Sequence, residues 1–246
     1  ALVWGSGSEY PGDALTEHGV ILVTVNYRLG PFGFFSHPEL STETGSSGNQ
    51  GFSDQIQSLK WVKENISQFG GDPNNVTIFG ESAGSWSVNV LQASPLTKGL
   101  FHKAIGQSGA RLIPLTHLNK RTTYSKSAED LGLDWSKVMA GNNNPSLQEL
   151  IKIPPQTIIR NLESDPLYGT QFDSLTVIDG NIIPEDISEI FQKGEQADVP
   201  VLIGSTADEA TPFDPKMLSP QLASMSYKRL THLAINDLLP EVDGNI

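Results

Sequence analysis

Val76-Thr77-Ile78-Phe79-Gly80-Glu81-Ser82-Ala83-Gly84-Ser85 is the stretch that decides the fold. A short run rich in β-branched and aromatic residues leads directly into a serine set between two glycines. A helical stretch to about Gln92 follows. That order reads as strand, sharp turn, helix. Further along, Lys103 to Gln107 and Val199 to Ile203 read as short strands. Upstream, Val20 to Val25 is the unbroken run VILVTV, which suits a strand buried on both faces. Between these strands, Ile56, Leu59, Val62, Ile66 and Phe69 recur at steps of three and four, one face of an amphipathic helix. Gly70-Gly71-Asp72-Pro73 ends that helix, because glycine supplies a left-handed cap and proline cannot continue it. Strands alternating with helices predict an α/β fold with a mostly parallel sheet flanked by helices.

Two segments read differently. From Gly30 to Gly51 the chain is crowded with turn formers. From about 115 to 173 it is polar, contains Asn142-Asn143-Asn144-Pro145 and Pro154-Pro155, and reads as short helices joined by loops. This second segment is either an insertion over the C-terminal edge of the sheet or a surface excursion. With 246 residues, one large unit and two small domains are both open. The reading adopted is a single, partial α/β domain over 1–246 with the insertion at about 115–173.

The serine at the turn carries the chemistry. Gly80-Glu81-Ser82-Ala83-Gly84 fits G-x-S-x-G, which is weak as a pattern and informative only where a strand enters and a helix leaves. Both conditions are met. Such a turn lifts the Ser82 hydroxyl clear of the sheet, where a histidine can take its proton. It aims the Ala83 N–H at the oxygen that gains charge during attack, at a helix N-terminus whose dipole favours negative charge. Both flanking glycines are expected to be needed where strand and helix close on each other. Glu81 either adds negative potential beside the nucleophile or partners buried water.

Longer stretches match a known family. Asn26-Tyr27-Arg28-Leu29-Gly30-Pro31-Phe32-Gly33-Phe34 resembles the NYRLGxxGF segment of the type-B carboxylesterases, the family of cholinesterases and some fungal lipases. Asn49-Gln50-Gly51-Phe52-Ser53-Asp54-Gln55 and the run from Phe69 through Ser82 to Ser85 are similar to the same family, almost residue for residue around the serine. Gln107-Ser108-Gly109 resembles its QSG, which would put Ser108 near the catalytic triad. The resemblance reaches about Phe213 and implies an α/β-hydrolase fold acting on carboxylic esters through an acyl-enzyme. It also implies an acid. Gly204-Ser205-Thr206-Ala207-Asp208-Glu209-Ala210 is similar to GxxxDEG, which assigns to Glu209 the role of orienting the histidine, with Ala210 in place of a glycine. Read without the family, Glu209 is one acid among 28 and a solvated surface residue.

Two parts of the family's apparatus are not found in the sequence. Gly5-Ser6-Gly7-Ser8 fits the GxGS that follows the oxyanion glycines; either the His-Gly-Gly of that motif falls upstream of Ala1, or Ala1 to Trp4 align with the strand before the motif and the motif itself is deleted. The family's catalytic histidine lies roughly a hundred residues beyond its acid. Here His232 is the one histidine after Glu209, in a stretch that matches nothing in the family. His232 is therefore either the base or a surface histidine. His102 resembles a family position that is not the base. The chain thus resembles a family member truncated at both ends, a serine ester hydrolase that is weak or inactive as this piece. A non-catalytic binding protein of the same fold and a non-functional truncated product are the competing readings.

Composition bounds the partners. A net charge of −12 repels phosphate backbones, which argues against nucleic acid; it either favours neutral or cationic small molecules or simply keeps the surface soluble, and the small ester partner is what the family resemblance implies. No apolar run approaches the ~20 residues of a membrane-spanning helix. No cysteine is present, so disulfides, thiolate metal ligands and a cysteine nucleophile are excluded. With no signal peptide visible, this points toward the cytoplasm. The chemistry uses side chains and backbone alone, so neither metal nor organic cofactor is implied. Asn65-Ile66-Ser67 and Asn75-Val76-Thr77 match the glycosylation pattern, which matters only in a secretory pathway.

Overall fold

A computed structural model describes residues 5–110, 112, 114–122, 125–165 and 176–206. Glu209 and His232 lie outside the described residues. The chain divides into two compact units, Ala1–Ile203 and Gly204–Ile246. The account below concerns the first; of the second only 204–206 are described.

The helices are α1 (Asp13–Thr16), α2 (Gly30–Phe34), α3 (Pro38–Thr44), α4 (Gln50–Asn65), α5 (Ala83–Ala93), α6 (Ala128–Ala140), α7 (Leu147–Leu150), α8 (Pro155–Glu163) and α9 (Ile187–Lys193). The strands are β1 (Thr77–Glu81), β2 (Lys103–Gln107), β3 (Thr116–His117), β4 (Val177–Ile178) and β5 (Val201–Gly204). Three strands form one sheet in the order β1-β2-β5, and β1 pairs with β2 in parallel from Thr77↔Lys103 to Glu81↔Gln107. β3 and β4 form a separate parallel pair.

Side chains on a strand alternate between faces, so the register fixes what each face presents. Ile78, Gly80, Ala104 and Gly106 lie on the face covered by α5. Thr77, Phe79, Glu81, Lys103, Ile105 and Gln107 lie on the other, where Phe79 is half exposed. The helix face predicted from Ile56 forms α4, which starts earlier, at Gln50, inside the stretch read as turns; α2 and α3 also form there. Proline at the first turn of α2 and α3 explains this, since its fixed φ suits a helix start. Ile56, Leu59, Val62 and Ile66 are buried, but Phe69 is exposed on the last, 3-10 turn, its ring tilted against that of Trp61. Gly70 then closes the helix in the left-handed conformation, φ 84°, as expected.

One strand expectation fails. Residues 20–25 carry no strand, and Val20, Ile21 and Val23 are 41–50% exposed. An apolar run becomes a buried strand only with ladder partners on both sides. Among the described residues this run has none, and it packs instead against 5–12 and Gly71.

The segment from 115 onward contributes to the main core. Trp135, Met139, Leu150, Ile158 and Leu162 join Phe34, Phe52, Ile56, Leu91 and Phe101 in one buried cluster. α6 lies so close to residue 36 that a Cβ on Gly132 would meet the Ser36 carbonyl. Ser127 and Asp130 make a reciprocal capping box at the start of α6, and Arg121 grips Asp130 with two hydrogen bonds of 2.6 Å. Buried Asn49 bonds both the carbonyl (2.8 Å) and the N–H (3.3 Å) of Val177, which pins β4 to the start of α4. Among the described residues no helix is long and apolar enough to cross a membrane.

Candidate active site

Ser82 sits where the sequence puts it, between the last residue of β1 and the first of α5. Its backbone adopts φ 54°, ψ −115°, a conformation L-residues avoid. Three backbone contacts hold it there. The Ser82 N–H donates to the Gln107 carbonyl at 2.8 Å, the Ser82 carbonyl accepts from the Trp86 N–H at 3.1 Å, and Gly109 presses against its main chain. A Cβ on Gly109 would come within 2.5 Å of the Ser82 carbonyl oxygen. The turn exposes the Ser82 side chain, and its hydroxyl has no hydrogen-bond partner among the described residues. Ala83 opens α5, so its N–H has no intrahelical acceptor and points out with the positive end of the helix dipole.

The flanking glycines are not equivalent. A Cβ on Gly80 would lie 2.4 Å from the Gly84 carbonyl carbon, whereas one on Gly84 meets nothing within 4 Å. Gly80 is thus needed for the close approach of strand to helix, and Gly84 is not. The symmetrical expectation is corrected.

Ser108 follows β2 as Ser82 follows β1, and the register Glu81↔Gln107 sets the two side by side at the same edge. It shares the unusual backbone, φ 51°; among the described residues Ser82 and Ser108 are the non-glycine residues with positive φ. Strained backbone of this kind costs about 1–3 kcal/mol and collects at functional sites. Glu81 is exposed at the same edge, with no side-chain partner among the described residues.

Beneath the turn lies a layer of hydroxyls that sequence reading did not single out. Ser85 is fully buried and donates to the Gly109 carbonyl. Ser87 donates to the Ala83 carbonyl and accepts from Gln55 Nε2, both at 3.2 Å. The Tyr27 hydroxyl bonds Ser87 and Gln55, and burial holds it above its ordinary value, hence neutral. Tyr27 and Gln55 belong to two of the segments that carry the family resemblance. The signal was present, but nothing linear links residues 27, 55 and 87.

Four histidines are described. His102 sits at the opposite end of β2 from Ser108, about 16 Å from the Ser82 edge at strand rise, where its Nδ1 accepts from the Val76 N–H. His37 is buried, caps α3 by accepting the Glu39 N–H, and is held below its ordinary value by burial. Neither reaches Ser82, and His18 and His117 make no hydrogen bond to it. Gly5 to Ser8 lie beside Thr24 and Asn26, where the Gly7 N–H donates to Asn26 Oδ1 at 2.7 Å.

Known proteins resemble this chain over most of its length. The chain is 40% identical over 216 residues to the para-nitrobenzyl esterase of Bacillus subtilis, covering 87% of itself and 42% of that protein. It is 40% identical over 215 residues to liver carboxylesterase 1 of Oryctolagus cuniculus, covering 85% of itself and 37% of that protein. Among solved structures, a Geobacillus stearothermophilus carboxylesterase superposes with TM-score 0.71 at 34% identity, over 98% of this chain and 48% of that one. A thermophilic pNB esterase gives TM-score 0.73 at 35% identity, again over 98% and 48%. The chain therefore spans about two fifths of the curated relatives' length, and its three-stranded sheet is part of an α/β-hydrolase sheet. With a match to the family profile over residues 1–243, it belongs to the Carboxylesterase family.

Proposed function

We propose that the chain carries the nucleophile half of a serine ester hydrolase acting on small carboxylic esters. The observation that carries this reading is the exposed Ser82 hydroxyl on a strained turn, beside an unpaired Ala83 N–H at a helix start. In the proposed reaction Ser82 Oγ attacks the ester carbonyl while a histidine takes its proton. The carbonyl oxygen becomes an oxyanion facing the Ala83 N–H, the alcohol leaves with the proton from the histidine, and water then releases the acid from the acyl-serine. Glu209 orients the histidine in this scheme, and His232 is the candidate base within the chain. Without a base the hydroxyl is a poor nucleophile, and each lost oxyanion donor costs about two to three orders of magnitude in rate. Activity of this chain alone is accordingly expected to be weak.

The names of its relatives, esterases of para-nitrobenzyl and other esters, suit the same substrate class. The −12 charge supports a neutral or cationic ester over an anionic polymer. A fluorophosphonate probe tests the reading. Labelling of Ser82 that disappears in Ser82→Ala supports it, and slower labelling in Glu209→Ala and His232→Ala would assign those roles. No labelling of this serine in the full-length protein overturns the hydrolase reading and favours a binding role. A panel of p-nitrophenyl esters is expected to show preference for short acyl chains; an optimum at long chains would indicate a lipase.

A further inference from the structure

We infer that Ser85 is a positioning residue that holds Ser82 and Ser108 in register through the Gly109 carbonyl. This deepens the proposed function and rests on it. Ser85 stands one turn beyond Ser82 and is fully buried. A hydroxyl can donate and a carbonyl cannot, so the bond to Gly109 has one direction, Ser85 to Gly109. Gly106 makes room for it: a Cβ there would come within 2.8 Å of Ser85 Oγ. Gly109 in turn is pressed onto the Ser82 main chain.

The hydroxyl thus ties the first turn of α5 to the segment after β2, across Ser82 and Ser108, the non-glycine residues with positive φ among those described. Strained conformations persist only where their surroundings over-determine them. Gln107 and Gly109 grip Ser82 through main-chain atoms, which substitution cannot remove. The Ser85 hydroxyl is the grip that a side-chain change deletes, and its loss leaves the Gly109 carbonyl without that partner. Released from Ser85, residues 108–109 shift and the Ser82 turn relaxes. A small displacement of a nucleophile is costly in rate although it is cheap in stability.

Ser136 supplies the control. It is equally buried and donates to the Gly132 carbonyl within α6 at 2.7 Å, so Ser136→Ala deletes a bond of the same kind elsewhere in the fold. In the whole chain, Ser85→Ala is expected to slow fluorophosphonate labelling of Ser82 about tenfold, and to speed amide exchange at Ser82 similarly. Ser136→Ala should leave both unchanged while losing comparable thermal stability. Equal effects of the two variants would reduce Ser85 to a stability residue and overturn the inference, as would wild-type labelling and exchange in Ser85→Ala. If the wild-type chain is not labelled, amide exchange at Ser82 decides the inference alone: faster exchange in Ser85→Ala than in Ser136→Ala upholds it, and equal exchange sinks it.

Discussion

Replacing each glycine of the Ser82 turn by alanine should change stability in opposite directions. At Gly80 the new methyl would sit 2.4, 2.6 and 2.8 Å from the carbonyl carbon, oxygen and Cα of Gly84, all main-chain atoms of α5. Restoring an ordinary carbon–carbon contact requires strand and helix to part by about 1 Å. Overpacking of this kind costs about 1–3 kcal/mol, and backbone that cannot rotate away puts Gly80→Ala at the upper end. At Gly84 the methyl meets open space and the backbone is helical with negative φ. There alanine gains helix propensity of about 0.8–1.0 kcal/mol, somewhat less this close to the N-terminus. For a chain of this size each kcal/mol moves the melting temperature by about 2–4 °C. Thermal unfolding followed by circular dichroism should therefore show Gly80→Ala lower by roughly 5–10 °C and Gly84→Ala level or higher by about 2–3 °C. A loss in Gly84→Ala equal to that in Gly80→Ala would refute the asymmetry and mean that α5 lies closer to the sheet than described.

Three further outcomes are expected. Ser82→Gly should abolish probe labelling and raise stability by about 1 kcal/mol in urea unfolding, because glycine adopts φ 54° without strain; a loss of stability would argue against strain at this position. Burial holds His37 below 6.5 despite Glu39 and Glu129, so the unfolded chain takes up the proton first, and stability falls as pH drops below about 6.5. Unfolding midpoints between pH 7.5 and 5 should slope more steeply in wild type than in His37→Gln, and equal slopes would exclude His37 as the source. Asp54 receives the Arg28 N–H, Nε and Nη2 at 2.7–2.9 Å and is held below its ordinary value of 3.8, so its contribution is present at neutral pH and lost as pH falls through the acid range. Asp54→Asn should cost about 1 kcal/mol at pH 7, since solvent screens this half-exposed pair, and progressively less as the pH is lowered; a cost independent of pH would point to packing instead.

Among the described residues, part of the sheet presents apolar side chains to solvent. Val201, Leu202 and Ile203 on β5 are 49–76% exposed, and Phe79 is half exposed on the face of the sheet opposite α5, all among the described residues. An open, apolar edge strand templates association. Leu202→Lys is expected to reduce aggregation of the isolated chain in light scattering, and unchanged aggregation would place the sticky surface elsewhere.

Local patterning marked β1, the serine turn, α5, β2 and the glycine cap after α4, because each rests on neighbours within a few residues. Val76 to Gly84 carries its own instructions: β-branched residues extend the chain, glycine permits the close turn, and apolar spacing winds the helix. The run VILVTV shows where this stops. Its residues suit a buried strand, but a strand exists only through partners elsewhere, and among the described residues none flanks it. Phe69 fits the helical period yet faces solvent, because the last turn tightens to 3-10 geometry and rotates it off the buried stripe.

The site divides in the same way. Sequence alone determined that Ser82 sits on a strand-to-helix turn, since the conformation depends on five consecutive residues. Only the tertiary structure decided that Gly80 and Gly84 have different burdens, that Ser108 stands beside Ser82, and that Ser85, Ser87, Tyr27 and Gln55 form the layer beneath. Those relations join residues up to 60 positions apart through parallel pairing and helix packing. Contacts of that range are set by how the strands and helices fit together in space, and no local pattern records them.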